Sequence, residues 1–443
     1  MIPMQNMKYL LSCFLLLCMH AQAQKVLTLE SCLDIGLKNN YSILIARNEE
    51  QISKNNATIG NAGYLPTLDL SAGYNGNLDN VRSSTPRGEA TSTDNGVYDQ
   101  TVNVGVRLNW TIFDGFNIVT NYQRLKELEK QGETNTRISI EDFVAELTAE
   151  YYNFIQQKIR LKNFRYAVSL SKERLRIVEE RYNIGSFSRL DLQQARVDFN
   201  ADSAQYMKQQ ELLHTSRIRL NELMANTDVD QHLVIRDSLI DVNEKLAFAN
   251  LMESMMQTNA NLIKAEQNKT LARLDLKAVN SRNYPYLKLN SGYGYTFNKY
   301  ELGATDRKQN LGLDFGVTLG FNIFDGNRRR EKRNARVLIN NMRLEQQQIE
   351  QSLKADLYNL WQAYRNNIEM LKLERENIIA AKENHDIAME RYLLGNLSGI
   401  EMREAQKSLL DAEERILTAE YDTKLCEISL MQISGKVLNY LNQ

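Results

Sequence analysis

Proline is nearly missing from this chain, with four among 443 residues. Because proline is the residue that removes a helical hydrogen bond and clashes with the preceding turn, its scarcity permits long uninterrupted helices. Histidine and cysteine are equally scarce, at four each. His20, His214, His232 and His385 stand apart, without H-E-x-x-H or C-x-x-C spacing, so no metal site and no cofactor is expected. Net charge is lacking too, 54 basic residues against 55 acidic, which argues against a nucleic-acid partner. Mean hydropathy is −0.47. Past Met19 no segment offers the ~20 consecutive apolar residues of a membrane helix.

The first residues have a different character. Lys8 precedes the apolar run YLLSCFLLLCM, from Tyr9 to Met19, and Ala21-Gln22-Ala23 follows. This is the layout of a secretory signal peptide over 1–23, cleaved near Gln24. A lipidated Cys18 is the alternative, against which stands the bulky Leu17 before it. Cleavage leaves Cys32 and Cys426, which either pair in an oxidising compartment or serve as two small buried hydrophobes.

The chain is written twice. NWTIFDGFN at 109–117 matches GFNIFDGNR at 320–328, placing Phe113-Asp114-Gly115 against Phe324-Asp325-Gly326, and ERYNIGSFS at 180–188 matches ERYLLGNLS at 390–398. The first repeat is 24–224, the second 246–443, joined by a mixed segment at 225–245. Each begins with a helix, at 29–63 or 246–282, stopped near Pro66 or Pro285. Two strands follow, at about 67–77 and 101–113 in the first copy and 286–297 and 310–324 in the second, separated by polar loops. Asp114 and Asp325 are placed to cap the next helix. From Gly115 to Tyr182 that helix is about 100 Å long if continuous. Leu147, Phe154, Leu161, Val168, Leu175 and Tyr182 recur every seven residues, as do Leu357, Tyr364, Leu371, Ile378, His385 and Tyr392, which gives both copies a coiled-coil seam. His385 reads as a seam residue packed between helices. Gly185 and Gly395 end these helices, and a further helix returns antiparallel in each copy.

The strands decide the environment. Val102, Val104, Val106, Leu108, Trp110 and Ile112 share one face, opposite Asn103, Gly105, Arg107, Asn109 and Thr111. Leu311, Leu313, Phe315, Val317, Leu319, Phe321 and Ile323 do the same against Gly312, Asp314, Gly316, Thr318, Gly320 and Asn322. Apolar-out, polar-in alternation over about ten residues is the signature of a membrane β-strand, and Tyr64, Trp110, Tyr284 and Phe324 suit an interfacial belt. The competing reading is a long half-buried strand of a soluble β-domain. Four strands cannot close a barrel and lipid does not tolerate open edges, so several chains must contribute to one barrel. The basic run Arg328, Arg329, Arg330, Lys332 and Arg333 either meets lipid phosphate, lines the channel or is solvated helix surface.

The duplicated helix–strand–strand–helix–helix order, the paired Phe-Asp-Gly boundaries and the paired Arg-Tyr-x-x-Gly turns (Arg181, Tyr182, Gly185; Arg391, Tyr392, Gly395) resemble the TolC family of outer-membrane efflux channels. The resemblance covers the whole mature chain. It implies a mainly α fold with membrane β, in which a homotrimer forms a 12-stranded β-barrel continued by a long periplasmic α-helical barrel. It implies a passive exit duct of a Gram-negative outer membrane, not an enzyme, partnered by a periplasmic membrane-fusion adaptor and, through it, an inner-membrane pump. The tip turns, with Ser186 and Asn396, would contact the adaptor. Asp191, Glu401 and Glu404 would line the channel entrance, the last two replacing aspartates. Leu397 stands where the family has an arginine that holds the closed state, so any latch must differ. Type I protein secretion and metal-ion efflux remain open as alternatives, and a structural coiled-coil envelope protein is the rival from another class.

Overall fold

The computed structural model describes residues 26–84 and 91–442. The expected signal peptide, with Cys13 and Cys18, lies outside the described residues. The chain divides into two compact units, one of residues up to Arg47, Thr136–Leu262 and from Ile349, the other of Asn48–Asn135 and Ile263–Gln348. The elements in order are α1 (Leu29–Asn39), α2 (Tyr41–Asn56), α3 (Ile59–Ala62), β1 (Thr67–Ser84), β2 (Thr91–Asp114), α4 (Asn117–Asn183), α5 (Arg189–Leu223), α6 (Phe248–Thr258), α7 (Ala260–Ser281), β3 (Tyr286–Lys299), β4 (Arg307–Gly320), α8 (Gly326–Leu393), α9 (Gly399–Ile433) and a 3-10 turn, Val437–Asn442.

The first unit is helical. Its main core gathers Cys32, Leu33 and Ile43 from α1 and α2, Phe143, Leu147, Tyr151 and Ile155 from α4, Leu220 from α5, and Val437 and Tyr440 from the tail. Leu233, Ile235 and Ile240 of the connecting segment pack into the same core. Gly36 lets α1 approach α4, where a Cβ would come within 2.4 Å of the Phe143 ring. Both cysteines are free thiols. Burial pushes the Cys32 thiol up to about 12, and Cys426 Sγ accepts from Asn367 Nδ2 at 3.4 Å. Along α8 the heptad positions Leu357, Tyr364, Leu371, His385 and Tyr392 are buried. Tyr182, the last heptad position of α4, is exposed.

The expected first helix of the first copy is in fact three, α1, α2 and the single turn α3, and that of the second copy is two, α6 and α7, with one matching break in each. The matching breaks fall at Asn40 and Asn259, whose ψ angles of 126° and 122° leave the helical region. Asn40 Oδ1 accepts from Ser42 N at 2.9 Å, and Asn259 Oδ1 from Asn261 N at 3.0 Å, so each side chain caps the helix that follows. Each Nδ2 then donates to the last carbonyl of a returning helix, Leu223 O at 3.0 Å and Ile433 O at 2.9 Å. Hydrophobic periodicity runs through such a break unchanged, because a single residue in extended conformation need not alter which face is apolar.

The second unit holds a four-stranded antiparallel sheet in the order β1-β2-β3-β4. The register aligns the alternating faces across all four strands. Leu70, Val106, Tyr293 and Leu313 fall in one row, and Ser71, Gly105, Gly294 and Gly312 in the next. One face is therefore mainly apolar, interrupted by Ser291 beside Phe315, and exposed, with Phe315 79% open, and the other carries glycine, asparagine, Asp69, Arg107 and Asp314. Where a loop is expected at 77–100, β1 and β2 continue, pairing Asn77 with Asp99 and Ser83 with Ser92 across a bulge at Asp79 and Val81. Backbone ladders need no apolar pattern, so this polar extension leaves no periodic signal. At the other end β4 stops at Gly320 rather than near 324.

Candidate functional site

At the turns between α4 and α5, and between α8 and α9, duplication repeats in atomic detail. Gly185 and Gly395 both have φ of +80°. Ser186 N donates to Arg181 O at 2.8 Å and Gly185 N to Tyr182 O at 3.0 Å, and Asn396 and Gly395 repeat the pattern onto Arg391 and Tyr392 at 2.9 and 3.1 Å. This is the Schellman motif, which needs a left-handed residue and so selects glycine. The returning helices open with capping boxes. Ser188 Oγ accepts from Asp191 N at 3.2 Å while the Asp191 carboxylate accepts from Ser188 N at 3.0 Å, and Ser398 and Glu401 do the same at 3.2 and 2.9 Å. The Ser398 backbone N–H, followed by its hydroxyl, holds the Glu401 carboxyl below its ordinary value. Two of the three expected entrance carboxylates are thus helix caps. Glu404 is exposed and makes no hydrogen bond or ion pair among the described residues.

The two turns differ in how they are tied. The Arg181 guanidinium lies 5.2 Å from the Phe187 ring and 5.6 Å from the Tyr392 ring, and donates to Leu393 O at 3.4 Å. Tyr392 is buried beneath it, and burial pushes its phenol up. Leu397 packs onto Tyr392, Met402 and Ala405. Arg391 stays exposed, close enough to Glu401 to favour its charged form. Between the turns lies a cavity of about 460 Å³ lined by Arg174, Phe187, Asp191, Asp198, Asn396 and Ile400 among others. Arg174 and Asp198 of its lining belong to a charged network that no sequence pattern disclosed, and Arg403 and Asp202 extend it beyond the cavity. Arg403 grips Asp202 with two bonds of 2.7 and 2.8 Å, and Arg174 pairs with Asp198. These four charges, from α4, α5 and α9, have no short motif to reveal them. The capping boxes did have one, Ser188-x-x-Asp191 and Ser398-x-x-Glu401.

The boundary residues form a second constellation, in the sheet-bearing unit. Asp114 Oδ1 accepts from Ile118 N at 2.9 Å, and Asp325 Oδ1 from Asn327 N at 2.9 Å. Phe113 packs edge to face on Phe116. Gly115 has φ of +70°, and a Cβ there would lie 2.2 Å from Ser281 O, so only glycine fits. Gly326 is the first residue of α8, and Phe324 is exposed.

A duplicated chain, a sheet with one mainly apolar exposed face and two unpaired edges, and paired helical hairpins together describe the fold of an outer-membrane channel protein. The sequence profile described as outer membrane efflux protein matches residues 33–226 and 251–436, one stretch for each copy, and the chain belongs to that family. It is 22% identical over 424 residues to outer membrane efflux protein BepC of Brucella suis, covering 93% of this chain and 86% of that one. It is 20% identical over 408 residues to outer membrane protein TolC of Vibrio cholerae, covering 90% and 88%. Among solved structures, a membrane protein from Pseudomonas aeruginosa superposes with a TM-score of 0.75 at 17% identity over 92% of this chain and 90% of that one. The Campylobacter jejuni CmeC outer membrane channel gives 0.73 at 17% identity, covering 92% and 85%.

Proposed function

We propose that three copies of this chain close a 12-stranded barrel in the outer membrane of a Gram-negative bacterium and form a passive exit duct, with the helical part in the periplasm. The observation that carries this reading is the sheet. Its exposed apolar face suits lipid, its polar face suits a water-filled lumen, and its free edges, β1 and β4, call for further strands because lipid cannot satisfy open backbone groups. Transport through such a duct needs no catalytic group. The names of its relatives, an efflux protein and an outer membrane channel among them, favour efflux over a structural envelope role.

The hairpin turns are the surface on which a periplasmic adaptor would dock, linking the duct to an inner-membrane pump. Four large apolar side chains stand exposed there at duplicate positions, Ile184 with Leu394 and Leu190 with Ile400. Such repeated exposure on a helix end marks an interaction surface. Threefold symmetry would gather copies of Glu401, Glu404 and Asp191 around one axis, where clustered carboxylates attract cations and narrow the entrance. The test is to purify the protein from outer membranes after cross-linking and record its conductance in a planar bilayer. Recovery of an adaptor and a cation-selective pore is expected; a monomeric, water-soluble, non-conducting product would sink the reading.

A further inference from the structure

The duplicated boundary between strand and long helix carries an aromatic stack in one copy and lacks it in the other, where the side chains are more exposed. In the first, Phe113, Phe116 and Tyr284 stack edge to face at 5.1 and 5.8 Å, and Ile118 is buried. At the matching place in the second copy Ile323 and Phe324 are 88% and 82% exposed. Where the first copy has Ile118 and Asn121, the second has Arg329 and Lys332. Ile323 also continues the apolar alternation of β4.

Beside these side chains lies a cavity of about 290 Å³ lined by Ile323, Phe324, Arg328, Arg329, Lys332 and Asp325 among others. Arg328 is already engaged, donating to Arg282 O at 2.7 Å and Asn283 Oδ1 at 3.0 Å. Glu331, the one acid in the first two turns of α8, pairs with Arg282 at 2.7 Å. Asp325 caps Asn327. Arg329 and Lys332 have no hydrogen bond or ion pair among the described residues, and three cations against Asp325 leave the cavity positive. Asn280, in the same lining, has a buried Oδ1 that meets no donor. Helix stability does not account for the cations, since positive charge at a helix N-terminus opposes the macrodipole.

We propose that this boundary binds a phospholipid of the inner leaflet, its phosphate held by Arg329 and Lys332 and its acyl chains lying on Ile323 and Phe324. A phosphate supplies the anion that a helix N-terminus favours and the partner both cations lack. A headgroup hydroxyl or ammonium would donate to Asn280 Oδ1. Ile323 and Phe324 follow β4 directly in the chain, just beyond its last residue, Gly320, so one diacyl molecule would meet both halves of the patch.

The test titrates phosphatidylglycerol into the full chain, purified in detergent as the assembly, and reads bound lipid by native mass spectrometry. Each basic side chain near a lipid phosphate is worth a factor of about five, so Arg329→Gln with Lys332→Gln should weaken binding about 25-fold with the assembly mass unchanged. Dioleoylglycerol, which lacks the phosphate, should bind wild type as weakly as the variant. Equal binding of phosphatidylglycerol by both proteins would overturn the proposal, as would equal binding of the phosphate-free lipid. Inorganic phosphate saturating the site alone would make it a simple anion site. Dissociation of the variant's assembly would show the patch to be covered by a second copy of the chain, which also refutes the lipid assignment.

Discussion

At the scale of single residues, Glu401 has a capping role in the structure and a proposed role at the entrance, and one substitution can separate them. Glu401 closes a capping box, so Glu401→Ala removes both a charge and a helix cap. Glutamine at this position keeps the cap, because its side-chain oxygen still accepts from Ser398 N. Glu401→Gln is therefore expected to lower cation selectivity in a planar bilayer while leaving the thermal midpoint near wild type; a loss of fold with selectivity intact would contradict the entrance role. Ser398→Ala tests the cap alone and should cost about 1 kcal/mol, read by denaturant unfolding. The pH dependence follows from the same bonds. Glu401 has a folded pKa below its ordinary value of 4.5, so its stabilising contribution is complete above that value and is lost as pH falls through the lower folded one. Amide exchange in the first turn of α9, corrected for intrinsic rate, should accelerate on acidification in wild type and change less in Glu401→Gln.

At the scale of elements, the return helices are held by contacts that no local pattern discloses. Removing Arg403 leaves Asp202 buried and unpaired, and breaking such a pair by deleting one partner is costly. Arg403→Ala should lose about 3 kcal/mol in denaturant unfolding, and Arg403→Ala with Asp202→Ala should recover part of it; no recovery would mean the pair is not the source. Asn259→Ala, which strips a cap from α7 and a donor from Ile433 O, should cost about 1–2 kcal/mol by the same measurement. The sequence carried the duplication, the strand faces and the long helices because each is a periodic signal read within one stretch of chain. It did not carry the breaks at Asn40 and Asn259, the polar extension of β1 and β2, or the Arg174–Asp198 and Arg403–Asp202 pairs. Those depend on residues far apart in the chain, or on backbone pairing indifferent to side-chain polarity. The capping boxes were legible as Ser188-x-x-Asp191 and Ser398-x-x-Glu401, whereas the entrance role of Asp191, Glu401 and Glu404 was implied by the family resemblance, and a carboxylate that caps a helix can also carry that charge.

At the scale of the whole molecule, the two faces of the sheet are expected to meet different media, and two neighbouring residues of β4 test which face meets which. Phe315 points to the apolar face and Gly316 to the polar one; beside Gly316 an added Cβ meets nothing within 4 Å. In a soluble β-domain with one face packed, arginine at the exposed face would be harmless. In a membrane barrel an arginine facing lipid near the midplane costs roughly 2–4 kcal/mol, whereas one facing the lumen meets water. Phe315→Arg is thus expected to cut recovery of heat-modifiable oligomer from outer membranes sharply, and Gly316→Arg to leave it near wild type while shifting ion selectivity toward anions. The proposed closure by three chains adds a constraint of its own, since the four strands of one chain leave β1 and β4 with unpaired edges that only another chain could satisfy in lipid. The detergent-solubilised assembly should accordingly weigh three times the mature chain by light scattering. A single-chain mass, or equal tolerance of arginine at 315 and 316, would place the sheet in water and remove the duct.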